Sequence, residues 1–275
     1  MKKFVLILLF LPLVPAILFS QSENVDLSMI YKIKQEGTIN SKIEDLAFEL
    51  TDLTGPRLTG SSGGERGNEW AKKKMEELGF QNVRIEEARD FTRGGWDNIK
   101  TYAALTSPYY TNFACTPVAW TGSTNGLIKS EVVLLSVTSE SDLEKYKGKL
   151  NGKIVLMPSS SQYQVRFEPL ASRYTDAQLK ELAMSPALQG SSPQQNQQPV
   201  QVQGISRQKL SEFIKNEGVA VILNNSGTFN VPRSTGANYT SGNPEPVAEL
   251  NIPIEDAGRI ERLLRKNIPV EMEVE

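Results

Sequence analysis

Gly60-Ser61-Ser62-Gly63-Gly64 has the G-x-S-x-G spacing of a serine nucleophile elbow, a turn that presents a hydroxyl between a strand and a helix. Such a hydroxyl needs a base, and the usual base is histidine. The 275 residues contain no histidine. Ser-His and Cys-His nucleophile pairs are therefore excluded, as are zinc sites built on imidazole. Ser62-Gly63-Gly64-Glu65 is also a capping-box pattern ahead of a helix, with glycines that supply a turn. No strand precedes it, and the lysine and Ser/Thr of a phosphate loop are missing, so a phosphate cradle is not expected. Ser206-Arg207-Gln208-Lys209 fits S-x-x-K without the companion motifs of penicillin-binding enzymes, and reads as a helix cap followed by a surface lysine. Cys115 is the only cysteine; with no disulfide partner and no histidine base, it reads as a small buried hydrophobe. Asp142, Glu144, Glu255 and Asp256 lack the spacing of a calcium loop and read as helix-start charges. Asn224-Asn225-Ser226 and Asn238-Tyr239-Thr240 fit glycosylation sequons, which matter only in a eukaryotic secretory pathway. The residue types thus assign no catalytic, cofactor-binding or metal-binding position.

The elements that would carry these residues are legible in the periodicity. Ser41 to Glu44 is a capping box, and Ile43, Leu46, Ala47 and Leu50 follow on one helix face until Gly55-Pro56. A second helix from Ser62 carries Trp70, Ala71, Met75 and Leu78 and stops at Gly79. Its lysines 72–74 alternate with Glu69, Glu76 and Glu77, a solvated face and not a nucleic-acid patch. Val83 to Glu86 alternates as a strand, and Asp90 to Trp96 reads as a connector hinged at Gly94-Gly95. Strands are expected at Thr101–Leu105, Glu131–Val137, Lys153–Met157, Val219–Leu223 and Pro269–Val274. Helices are expected at Ser206–Asn216 and Glu255–Lys266. Residues 185–204, with Gln-Gln-Asn-Gln-Gln among Ser and Pro, have the composition of a mobile loop.

Met1-Lys2-Lys3 followed by an apolar run from Phe4 to Phe19 is the pattern of a secretory signal peptide. The run is shorter than the ~20 residues that span a bilayer, and Pro12 and Pro15 interrupt it. Cleavage is expected near Ser20-Gln21, which places the protein outside the cell or in a periplasm. The net charge of −2 gives no global attraction for nucleic acid or anionic membrane.

Several of these segments together resemble one family. LTDLTGPRLTGSSGGERGNEWAKKKMEELGFQNVRIEE, with the turn Gly55-Pro56-Arg57-Leu58-Thr59-Gly60-Ser61, looks like the opening of secreted zinc exopeptidases of the aminopeptidase and plasma glutamate carboxypeptidase (carboxypeptidase Q) type. GWDN at Gly95–Asn98 and CTPVAWTGSTNGLIKSEVVLL fit the same pattern. Gly152-Lys153-Ile154-Val155-Leu156, the helix before VAVIL, and Asn251–Gly258 resemble the protease-associated domain inserted in these enzymes.

The resemblance implies an α/β fold, an α+β mixture: a partial zinc-exopeptidase-like α/β segment with an inserted β-rich protease-associated domain. The expected division is a signal peptide at 1–20, peptidase-like helices and first strand at 21–98, the inserted domain at 99–254, and a return toward the peptidase sheet at 255–275. It implies peptide-bond hydrolysis by the complete relative with zinc as cofactor and a peptide as substrate; a homodimer stays open. The family's two histidines and acidic ligands match no position here. The chain is therefore expected to lack the metal-binding half, to hold no cofactor and to be inactive alone. The alternative expectation is a non-catalytic secreted module that binds peptides or proteins.

Overall fold

A computed structural model describes residues 25–158, 167, 169, 171–184, 205–227 and 232–275. The expected signal peptide at 1–20 and the expected loop at 185–204 lie outside the described residues. The chain divides into two units between Gly55 and Pro56.

The first unit is helical. α1 (Leu27–Thr38) starts at Asp26, whose carboxylate accepts from the Ser28 and Met29 N–H groups at 2.9 and 3.1 Å. This helix escapes the periodicity because Leu27, Ile30 and Tyr31 lie on one face and Met29 and Ile33 on another. α2 (Ile43–Phe48) follows and widens into a π-helical turn at Glu49–Leu53. There the Thr51 hydroxyl donates to the Ala47 carbonyl at 2.7 Å, and the Thr54 N–H reaches back five residues to Glu49. The expected box at Ser41 is not formed: Lys42 is the cap residue, and no side chain caps the helix. No residue of these helices is buried.

The second unit opens with α3 (Ser62–Glu77). Its cap is Ser61, one residue earlier than the sequence pattern suggests, and the Ser61 hydroxyl oxygen accepts from the Gly64 N–H at 3.0 Å. The strand expected at Val83–Glu86 is irregular chain instead. Alternation alone does not make a strand; a ladder partner is needed, and none of the described strands pairs with it.

A nine-stranded mixed sheet follows, so the fold is α/β as expected. Its strands are β1 (Ala103–Ser107), β2 (Thr111–Asn112), β3 (Thr116–Ala119), β4 (Ile128–Leu134), β5 (Ile154–Leu156), β6 (Val221–Asn225), β7 (Thr235–Gly236), β8 (Ala248–Ile252) and β9 (Glu271–Val274). They lie in the order β2-β1-β9-β4-β5-β6-β8-β3-β7. The centre, β4-β5-β6-β8, is parallel. Parallel strands are covered on both faces, which explains the unbroken apolar runs. Ile154, Leu156, Val221, Leu223 and Ile252 turn to one side with Ala257 and Ile260 of α6 (Ile254–Arg265). Val155 and Ile222 turn to the other, against Ile214 of α5 (Arg207–Asn216), Leu135 and Leu150. Each such fully buried Ile or Leu contributes roughly 1.5–3 kcal/mol by leaving water. A further helix, α4 (Asp176–Met184), buries none of its residues.

β9 pairs antiparallel with both β1 and β4, and α6 belongs to the same core. Met272 and Val274 are fully buried there, so residues 255–275 complete this sheet. β8 and β3 do not stand out in the apolar pattern. Glu249 and Asn251 interrupt the apolar pattern of β8, and Pro117 interrupts β3, which the two-residue β7 flanks near the sheet margin. Among the described residues, no helix is long and apolar enough to cross a membrane.

Candidate functional site

The glycine-rich segments lock together at the start of α3. A Cβ on Gly63 would lie 2.0 Å from the Pro56 carbonyl oxygen, and one on Gly95 would lie 2.3 Å from that of Gly60. Only glycine permits these backbone approaches. They bring Asp97 to the helix N-terminus, where its carboxylate accepts from the Ser62 N–H at 3.2 Å and the Ser62 hydroxyl at 3.0 Å. An acidic group there suits the helix dipole. The connector is held at its other side by Trp120, whose indole N–H donates to the Gly94 carbonyl at 3.1 Å. Phe91 packs on that indole with ring centroids 5.9 Å apart, and the Arg93 guanidinium lies 4.7 Å from its ring centre. Trp96 reaches the opposite way, donating to the Thr121 carbonyl at 3.1 Å.

Beside this knot opens a cleft of about 350 Å³, within the size range of small-ligand sites. Pro117, Val221, Leu250 and Val274 give it apolar walls, while Asp97, Glu245, Glu249 and Glu275 bring four carboxylates against one cation, Lys100. Lys100 is paired with Glu275. Glu249, on β8, accepts from the Asn224 side-chain amide at 3.0 Å. Burial raises its carboxyl pKa above the ordinary value, and the Asn224 bond opposes that shift. The hydroxyls nearby serve the backbone: Thr121 donates to the Val118 carbonyl at 2.8 Å, and Ser123 accepts from the Asn125 N–H at 3.1 Å. The arrangement holds no activated nucleophile. It can bind a cationic or hydrogen-bonding group next to an apolar one.

The positions weighed from sequence behave as helix and core residues. Ser62 opens α3 and accepts from Arg66 at 3.2 Å, with no strand before it among the described residues. Ser206 caps α5 by accepting from the Lys209 N–H at 3.2 Å, and the Lys209 ammonium pairs with Glu140. Asp142 forms a capping box with Ser139 in the 3-10 turn Glu140–Lys145. Lys145 and the Thr138 and Ser139 donors hold its carboxyl below its ordinary pKa. Glu144 pairs with Lys147 at 3.5 Å in the same turn. Glu255 and Asp256 lie in the first turn of α6, and burial pushes the Asp256 carboxyl up. Cys115 packs against the core, and burial pushes its thiol up to about 11. Asn224 is engaged with Glu249, whereas Asn238 is exposed.

Zinc does not fit the residues present, because its usual sites draw on imidazole and thiolate. The sequence offers no histidine and one cysteine. Among the described residues, no group of three or more His, Cys, Asp or Glu could hold a metal ion. The cleft carboxylates escaped the sequence reading because they come from positions 97 to 275 and share no motif. Of the four carboxylates, only Asp97, inside GWDN, lies in a segment that carries the resemblance.

No protein-family model matches the chain. No curated protein matches it either. Among solved structures, a peptidase M28 precursor from Shewanella amazonensis is 19% identical with a TM-score of 0.45; the match covers 90% of this chain and 49% of that one. An aminopeptidase from Aneurinibacillus sp. strain AM-1 is 14% identical with a TM-score of 0.40, covering 88% of this chain and 45% of that one. The chain thus spans about half the length of the solved structures it matches.

Proposed function

We propose that this chain supplies the front segment and inserted module of an exported zinc-dependent exopeptidase. In this reading the metal ligands and general base come from polypeptide other than these residues. The observation that carries it is the uncovered side of α3. Met75, Leu78, Phe80 and Ile85 are 48%, 59%, 63% and 48% exposed, and the adjacent stretch from Val83 has no ladder partner among the described residues. Exposed apolar residues following so closely along the chain suit a surface that another element covers, and a further sheet would satisfy both the side chains and the extended backbone. The interlocked Gly60, Ser62, Gly95 and Asp97 add support, since they belong to the segments that resemble the exopeptidases. The apolar leader from Phe4 to Phe19 supports export.

The cleft favours a second reading, a secreted module that binds peptides without cutting them. Zinc content separates neither reading by itself, but it tests their shared part. The purified chain, dialysed after zinc loading, should retain no stoichiometric metal by elemental analysis and should not hydrolyse peptides. Tightly held zinc, with hydrolysis lost to a chelator, would place the chemistry in these residues and overturn both readings.

A further inference from the structure

We propose that the strap at residues 91–97 is a releasable clasp: it fastens α3 to the sheet, and its opening frees α3 while the sheet stays folded. The clasp operates in either functional reading.

Burial shows why α3 needs a fastener. Neither apolar core contains a residue from 56–98. Within that stretch only Ser61, Gly63 and Gly67 are buried, so apolar burial does little to hold it. Gly63, Gly64 and Gly67 also weaken the helix itself. A detached helix of this length and composition does not persist in water.

The fastening is a reciprocal pair of indole bonds. Trp120, one residue past β3, donates to the Gly94 carbonyl of the strap, and Trp96 of the strap donates to the Thr121 carbonyl, each at 3.1 Å. The Ser241 N–H adds a bond to the Thr92 carbonyl at 2.9 Å. The strap meets α3 through other residues: Asp97 accepts from Ser62, and the Gly95 backbone lies against Gly60. Positions 92, 94 and 96 thus serve the sheet side, and 95 and 97 serve α3. The first set of contacts can break while the second holds.

Trp120 is also strained. Its φ is +60°, a left-handed value that a bulky residue adopts only where its surroundings impose it. Three neighbours confine its indole. The Phe91 ring lies 5.9 Å away between centroids, the Arg93 guanidinium lies 4.7 Å from the ring centre, and a Cβ on Gly236 would fall 2.7 Å from a ring atom. Phe91 and Arg93 belong to the strap. Its release removes them and lets Trp120 relax, so the closed state carries a cost that the open state does not. A few polar bonds opposed by strain place this joint at the low-stability end of the fold.

Hydrogen exchange followed by mass spectrometry on the purified 275-residue chain tests the proposal. Amides of α3 should exchange on the order of a hundredfold faster than those of β5 and β6. Trp96→Phe and Trp120→Phe each remove one indole donor. Each should speed α3 exchange roughly fivefold and leave β5 and β6 exchange and the main melting temperature unchanged. Should Trp120→Phe disturb the sheet as well, Trp96→Phe, at a half-buried position, must still act on α3 alone. One common rate for α3 and the sheet, equal acceleration of both by Trp96→Phe, or no acceleration of α3 by it, overturns the proposal.

Discussion

Two side chains show how environment decides chemistry in this chain. Cys115 is a lone thiol pushed up to about 11 by burial, so almost none of it is thiolate near neutrality. We expect a thiol reagent at pH 8 to label the native protein slowly and the denatured protein at once; rapid labelling of native protein would contradict this. Glu249 gives a pH prediction. Its folded pKa lies above the ordinary 4.5 because of burial, so its stabilising contribution is complete below that value and is lost as pH rises through the folded pKa. Glu249→Gln should therefore raise the melting temperature at pH 7 and change it little at pH 4. Asp256 shifts in the same direction and Asp142 in the opposite one, and both cancel when parent and variant are compared at one pH. A variant that is less stable at pH 7 would show that the charged carboxylate is needed by the fold. Sequence reading placed Cys115 in the core but could not find Glu249, whose burial depends on β6, β8 and the connector meeting in space.

At the scale of elements, apolar periodicity locates the parallel strands β4, β5 and β6, with α5 and α6, because burial on both faces leaves continuous apolar runs, whereas Glu249 and Asn251 hide β8. It misses α1, where capping by Asp26 matters more than an apolar stripe, and it makes a strand of Val83–Glu86, which has no partner among the described residues. Caps were placed within a residue, the cost of judging a hydroxyl's role before its neighbours are known. Two glycines separate the demands of packing from those of propensity. Gly63→Ala puts a methyl 2.0 Å from the Pro56 oxygen and should lower stability by about 2 kcal/mol or more. Gly37→Ala, in α1 with open space around it, should stabilise that helix by about 0.5–1 kcal/mol. Thermal and urea unfolding of the two variants checks both; equal effects would show that α3 is not held against the Pro56 backbone as described.

At the scale of the whole molecule, the absence of histidine and the uncovered α3 surface point the same way. The described residues build a nine-stranded sheet with two cores, yet leave Met75, Leu78, Phe80 and Ile85 exposed, with no strand at Val83–Glu86. The purified chain should bind a hydrophobic dye at this surface, and Leu78→Lys should weaken that signal without lowering the melting temperature. A loss of stability instead would mean the side chain is already covered. The central claim is that metal-dependent peptide cleavage involves this chain together with ligands it does not contain. Its most direct measurement is hydrolysis of free-amine peptides by the full product of the gene, with the 275-residue chain assayed beside it, each with zinc and with chelator. The account predicts zinc-restored exopeptidase activity from the full product and none from the chain alone. Metal-dependent cleavage by the chain alone, or none by the full product, would contradict it.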